Sequence, residues 1–292
     1  MSDVRWLGPK PELHEPTLVV MLTGWIDAGG AARGAVTAID KESNTTPIAE
    51  FDDDVFVDFR ARRPMMELRD GVHSVLMWER ILLSTGTDQT GRDLLLLTGP
   101  EPDMAWHRFC RAVGDVAVEL GVTQMAHLGA YPMAVPHTRP ARLSVTTPSE
   151  DVLARVPFLR SSVDVPAGVA AALEREFHDR SIPALGIWAQ VPHYIASMAY
   201  PAASVALLDG LREATGLVIE AVELRAEVHR LVARLNSMIA GNEEHVAMIQ
   251  QLEQVYDATA DAVDVSAPRP TLPFTSGDEL AAELEQFLRE QS

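Results

Sequence analysis

Four polar side chains stand where a chain could do chemistry: Asp27 in "LTGWIDAGGAARGA", His137 and Arg139 in "LGAYPMAVPHTRPARL", and His193 in "WAQVPHYIASMAYP". A carboxylate, two imidazoles and a guanidinium brought together could hold an anion or move a proton. Each follows an apolar run of strand length, and the crevice beyond the carboxyl ends of such strands is where open α/β sheets bind ligands. Trp25, Gly29, Gly30 and Gln190 share these three stretches and complete the set of candidate pocket or interaction residues. A fourth loop, "TGPEPD", adds Glu101 and Asp103 to the same expected rim.

No motif names a reaction for this set. Gly24, Gly29, Gly30 and Gly34 do not make G-x-G-x-x-G, and neither a P-loop lysine, G-x-S-x-G, H-E-x-x-H nor a Cys/His cluster is present. The other seven histidines fall at spacings that suit no metal site. No catalytic residue, metal or cofactor is therefore assigned. Two readings of the first loop stay open: Asp27 caps a helix beginning near Ala28 while the glycines allow a tight turn and close packing, or Asp27 and exposed N–H groups meet a ligand. The second loop is similarly double. His137 and Arg139 either satisfy local partners, the arginine by pairing with a carboxylate, or are presented to an anion or a protein.

These residues need a scaffold, and the hydropathy pattern supplies one. Strand-length apolar runs occur at "TLVVMLT", "VFVDF", "SVLMW", "DLLLLTG", "MAHLGA", "LSVTT" and "LGIWAQV". Several are apolar at nearly every position, which predicts a largely parallel sheet covered on both faces. Helical patterns intervene at "AARGAVTAIDKE", "DMAWHRFCRAVGDVAVEL" and "PAGVAAALEREFHD", the last with Pro166 expected in its first turn. The fold class is α/β.

After "PAASVALLDGL" the period changes. Leu217, Ala221, Leu224, Val228, Leu231, Leu235 and Met238 alternate steps of four and three, a heptad seam, and His245, Met248, Leu252, Val255 and Thr259 form a second. Gly241-Asn242 between them predicts a turn, so the two helices should form an antiparallel hairpin. Leu217, Leu224, Val228, Leu231, Leu235 and Met238 are candidates for contact between copies of the chain. The expected organisation is an α/β core over 1–214, the hairpin over 215–262, and a proline-rich linker with a short terminal helix, capped by Ser276 or Asp278, over 263–292.

Composition excludes some partners. The net charge is −18, and two lysines accompany 22 arginines without a basic stripe, so nucleic acid is not an expected partner. The start resembles no signal peptide and no run reaches the roughly 18 apolar residues of a membrane span, which predicts a cytoplasmic protein that does not enter membranes. Cys110 is the one cysteine and sits in a helical pattern, where it should be a buried apolar residue.

"GWIDAGGAARGAV", "GAYPMAVPHTRP" and "WAQVPHYIA", followed by "QQLEQVYDA" in the hairpin, resemble the PAC2 family, named after a proteasome assembly chaperone, over residues 17 to 258. The likeness is to its prokaryotic, actinobacterial-type branch. It implies a three-layer α/β/α sandwich of the nucleoside phosphorylase-like type with the helical hairpin added. It also implies homo-oligomers, with a trimer or tetramer expected over a monomer, and proteasome subunits as candidate partners, with no established enzyme activity. Archaeal members that dock on the proteasome end in a hydrophobic-Tyr-any residue tail; this sequence ends "FLREQS", so docking by such a tail is not expected. The leading expectation is a non-enzymatic chaperone-like or scaffold protein. The alternative is a hydrolase or transferase acting on a nucleoside-like or anionic molecule in the crevice.

Overall fold

A computed structural model describes residues 3–260. The expected linker and terminal helix, with their caps Ser276 and Asp278, lie outside the described residues, as do the last two positions of the expected hairpin segment. In chain order the first half contains β1 (Val4–Trp6), β2 (Thr17–Thr23), α1 (Ala31–Ser43), β3 (Thr46–Phe51), α2 (Asp53–Phe56), β4 (Met65–Arg69), β5 (Val72–Met77) and β6 (Ile81–Thr87). It continues with β7 (Asp93–Pro100), α3 (Trp106–Glu119), β8 (Gln124–Met133), β9 (Leu143–Thr146), α4 (Glu150–Leu153) and α5 (Val169–Asp179). β10 (Ala184–Pro192), α6 (Pro201–Thr215), α7 (Val222–Ile239) and α8 (Glu243–Ala260) close the described chain.

Eight strands form one sheet in the order β1-β3-β6-β7-β2-β8-β10-β9. The central four, β7, β2, β8 and β10, are parallel, while the flanking pairings are antiparallel, so the sheet is mixed and not largely parallel as the hydropathy suggested. The central strands are apolar on both faces because both faces are covered. Val19 and Met21 of β2 join Leu94 and Leu96 of β7 in the core under α1 and α6, whereas Leu18, Val20, Leu95 and Leu97 join the core under α3 and α5. These are the three layers of an α/β/α sandwich. Cys110 lies in the second core, 3% exposed, and burial pushes its thiol pKa up to about 12.

Local chemistry explains where the sequence pattern misleads. "VFVDF" does not make a strand: Asp53 and Asp54 lie in the first turn of α2, where carboxylates stabilise a helix start, and Phe56 and Val57 are buried from that turn. "SVLMW" is a strand only in part, as β5, which pairs with β4 in a separate two-stranded sheet. β3 and β6 have no clean alternation; Pro47 sits at a register shift in β3, the position a ladder tolerates proline. Pro166 precedes α5, whose N-cap is Gly168.

Both ends of the large sheet are blunt. β1 has three residues, and the outer side of β9 is covered by Leu159, which exchanges hydrogen bonds with Leu143 and Val145. Among the described residues, no helix is long and apolar enough to cross a membrane.

The expected hairpin forms. Asn242 ends the turn and its Oδ1 accepts the N–H groups of Glu244 and His245, starting α8. The seam, however, starts later than its spacing suggested. Leu217 and Ala221 precede α7 and are buried in the α1/α6 core, where Leu235 also lies and against which Leu224 and Leu231 pack. Val228 is half-buried and Met238 is exposed. On α8 the buried position is Ile249, and Val255 faces solvent, so the second seam is rotated from the expected one.

Candidate functional site

The parallel strands β7, β2, β8 and β10 end at Pro100, Thr23, Met133 and Pro192, so the loops that carry Glu101, Asp27, His137 and His193 all leave one rim of the sheet. The rim is divided among three jobs.

The first is a joint. Asp27 bridges to Ala130 of β8, and its carboxylate accepts the N–H groups of Ala32 at 2.8 Å and Arg33 at 3.1 Å, satisfying two orphan donors of α1. Gly29 and Gly30 turn the chain at φ 61° and 56°, a region most side chains avoid. The Gly29 N–H donates to Ala196 O at 2.6 Å and its carbonyl accepts from Tyr200 at 2.9 Å, which ties the joint to the loop after β10. A Cβ on Gly34 would stand 2.6 Å from Ser204 Oγ, so the α1–α6 approach needs glycine there.

The second is a latch for the hairpin. His137 is 3% exposed. The Tyr194 hydroxyl accepts the His137 backbone N–H at 2.8 Å and lies 2.7 Å from Nδ1, while Nε2 lies 3.1 Å from Asn236 Oδ1 of α7. An Nε2–H tautomer satisfies all three contacts: Tyr194 donates to Nδ1 and the ring donates to Asn236. Burial lowers the pKa of this imidazole, against the opposite pull of Asn236 and Glu253. Arg139 donates through Nε and Nη2 to Asp257 at 2.9 and 2.7 Å and through Nη1 to Glu253 at 3.0 Å, a forked pairing that holds the guanidinium charged. Thr138 donates to the same Glu253. Arg142 lies 3.6 Å over the Tyr256 ring and donates to Tyr256 O at 2.6 Å, and the Tyr256 hydroxyl returns a bond to Pro140 O at 2.9 Å.

His193 opens the short turn after β10 with its ring 5.4 Å from that of Tyr194, and its Nδ1 is buried without a hydrogen-bond partner among the described residues. Gln190 donates to the Tyr131 hydroxyl at 3.1 Å. His137, Arg139, Gln190 and His193 therefore gather at the β8–β10 end of the rim.

Trp25 belongs to a third grouping toward β7. A Cβ on Gly168 would meet the Trp25 indole and Glu101 Oε1, each at 3.1 Å, and Glu101 accepts the Val169 N–H at the start of α5. Arg62 donates through Nε to both oxygens of Asp103 at 3.1 Å. Trp25 is 45% exposed.

Sequence reasoning missed the hairpin half of the latch. Glu253, Tyr256 and Asp257 at i, i+3 and i+4 make one helical face within "QQLEQVYDA", and that spacing was the available signal. It also set aside His127, which lies buried on the opposite sheet face. Its Nε2 is 3.2 Å from Glu174 Oε1 but out of line for a hydrogen bond. Glu174 accepts from Thr146 at 2.8 Å, and Trp188 donates to Thr146 at 3.1 Å. Gly186 makes room: a Cβ there would lie 2.4 Å from His127 Nε2. No group of three or more metal-ligating side chains occurs among the described residues.

The sequence pattern of the PAC2 family matches residues 21–239. No curated protein matches the chain at a significant level. A Corynebacterium glutamicum protein of unknown function is 29% identical and superposes with a TM-score of 0.82, covering 89% of this chain and 98% of its own. A Mycobacterium tuberculosis protein of unknown function is 32% identical with a TM-score of 0.80, covering 89% and 92%. A proteasome-assembly chaperone homologue of M. tuberculosis is 29% identical with a TM-score of 0.73, covering 80% of this chain and 99% of its own.

Proposed function

The chain belongs to the PAC2 family, and from that premise we propose that it is a non-enzymatic, self-associating scaffold or chaperone of the proteasome-assembly type. The observation that carries this reading is the superposition, over 80% of the chain, on a protein described as a proteasome-assembly chaperone homologue. The rim chemistry supports it. Asp27 is occupied by helix α1, Arg139 by two carboxylates, and both ring nitrogens of His137 by Tyr194 and Asn236, so the first organises a helix start and the other two a docked hairpin before they could serve a ligand.

The partner class is a proteasome subunit, and the working form is a homo-oligomer in the cytoplasm. Affinity capture of the full chain from its native host, with quantitative mass spectrometry, tests this. Reproducible enrichment of proteasome subunits is the expected result; repeated capture without any of them overturns it. The hydrolase or transferase reading predicts a different outcome, a rise in melting temperature with a nucleoside or inorganic phosphate. A ligand at a hundred times its dissociation constant would add about 2.7 kcal/mol.

A further inference from the structure

We propose that residues 266–274, which lie outside the described residues, dock on an aromatic surface of the same chain's carboxyl rim, centred on Trp25 and Trp78. Trp25, Ile26, Trp78 and Met104 are each 41–45% exposed. Arg62 sets them side by side. A Cβ on Gly24, next to Trp25, would stand 2.8 Å from Arg62 Nη2, and Arg62 reaches Asp103, next to Met104, at 3.1 Å and Glu79, next to Trp78, at 3.7 Å. Phe59 meets Trp78 edge-on at 4.6 Å and extends the surface. Apolar side chains gathered and exposed in this way mark an interaction site. Aromatic-lined surfaces receive proline-rich segments in the polyproline II conformation.

Sequence selects the occupant. "SAPRPTLPF", residues 266–274, holds Pro268, Pro270 and Pro273. A polyproline II helix turns every three residues, so Pro270 and Pro273 share one edge and Arg269 and Leu272 another. Each proline has its φ fixed already, so laying this segment on the rim costs less chain entropy than laying down an ordinary one. Charge agrees with that choice. Arg269 is the one basic residue between positions 261 and 277, and the exposed Asp164 has no ion-pair partner among the described residues. A Cβ on Gly168, four residues after Asp164, would meet the Trp25 indole at 3.1 Å, so this carboxylate borders the surface. Opposite charges favour the encounter.

The end of α8 lies within reach. Arg142 donates to Thr259 at 2.9 Å, and the neighbouring Leu143 accepts from Leu159 at 2.9 Å, so both segments pass the outer end of the rim at β9. From Leu159 the chain arrives at Gly168, against Trp25, in nine residues. Pro268 lies nine residues beyond Thr259, and Pro270 eleven. Five strand spacings separate β9 from β6, the strand that follows Trp78, a distance of about 24 Å. Eleven extended residues reach about 36 Å. The segment can therefore cover its own rim without a second copy.

Two measurements on the full-length protein test the contact. Cys110 is the single native cysteine and is buried, so Ile26→Cys with Leu272→Cys leaves only the introduced thiols to pair. A disulfide between positions 26 and 272 of one chain is expected, forming several-fold faster than one between position 272 and Val118→Cys, which is exposed at the far end of α3. Comparable rates, linkage only between chains, or no linkage overturns the proposal. Tryptophan emission gives a readout that needs no bridge. Pro270→Gly with Pro273→Gly removes no side chain of the described fold, and it should shift emission to the red and increase quenching by acrylamide. The same replacements should have no effect once Trp25→Phe and Trp78→Phe are in place. Unchanged emission in the first case, or an equal shift in the second, also overturns it.

Discussion

The His137 imidazole and the Asn236 side-chain carbonyl meet at 3.1 Å, joining the loop that leaves β8 to the middle of the C-terminal hairpin. This places a titratable ring inside a structural contact. Because burial keeps its folded pKa below the ordinary 6.5, the unfolded chain binds a proton in a window where the folded one does not. The stability it contributes is complete above about pH 6.5 and falls as pH drops from there toward the folded pKa. Calorimetric melting between about pH 7.5 and about pH 5.5 should show a decline that His137→Gln makes shallower. Parallel profiles for the two proteins would rule out this role.

Arg139 should hold α8 against the body of the protein. Arg139→Ala leaves Glu253 and Asp257 without their cation and is expected to speed amide exchange across residues 243–257 while leaving β2 and β8 protected. Because the pair is partly solvated, high salt should weaken the latch of the wild-type protein in the same direction. Equal protection in variant and wild type would contradict the latch.

Neighbouring glycines should respond unequally. A Cβ on Gly29 would lie 2.8 Å from Tyr200 Cβ at a left-handed φ, whereas one on Gly30 meets nothing within 4 Å. Gly29→Ala should cost about 3 kcal/mol, combining backbone strain with overpacking, and Gly30→Ala about 1 kcal/mol from the backbone alone. Urea denaturation of the two variants measures the gap, and equal midpoints would show that the joint tolerates displacement.

Glu174 is expected to be the most sensitive carboxylate of the α5 face. Glu174→Ala removes the acceptor of Thr146 in a buried setting and should destabilise by about 2 kcal/mol. Glu174→Gln, which keeps an acceptor for Thr146, should cost less. Equal losses would assign the cost to packing and not to the polar network.

Much of the scaffold was readable because its signal is local. Leu94 to Leu97 are apolar at every position since both faces of β7 are covered, and Asn242 marks the turn between α7 and α8 with its own side chain. The α2 turn was hidden in "VFVDF" because β-branched and aromatic residues favour strands until a preceding acidic run lets the helix start. Asp27 was legible as an acceptor for the helix start, although α1 begins at Ala31 with Gly30 in the N-cap position and not near Ala28, but Arg139 could not be assigned its partners from spacing. Asp257 lies 118 residues away, and only the way the hairpin doubles back brings it within 2.7 Å. His127 was unreadable for the converse reason: its setting depends on Gly186 and Glu174, which belong to other elements and share no period with it.

The capped ends of the eight-stranded sheet carry a last consequence. With β1 only three residues long and Leu159 bonded along the outside of β9, neither border offers a free row of donors and acceptors on which an identical molecule could template. Crowded copies of this protein are steered away from fibrillar growth through the main platform.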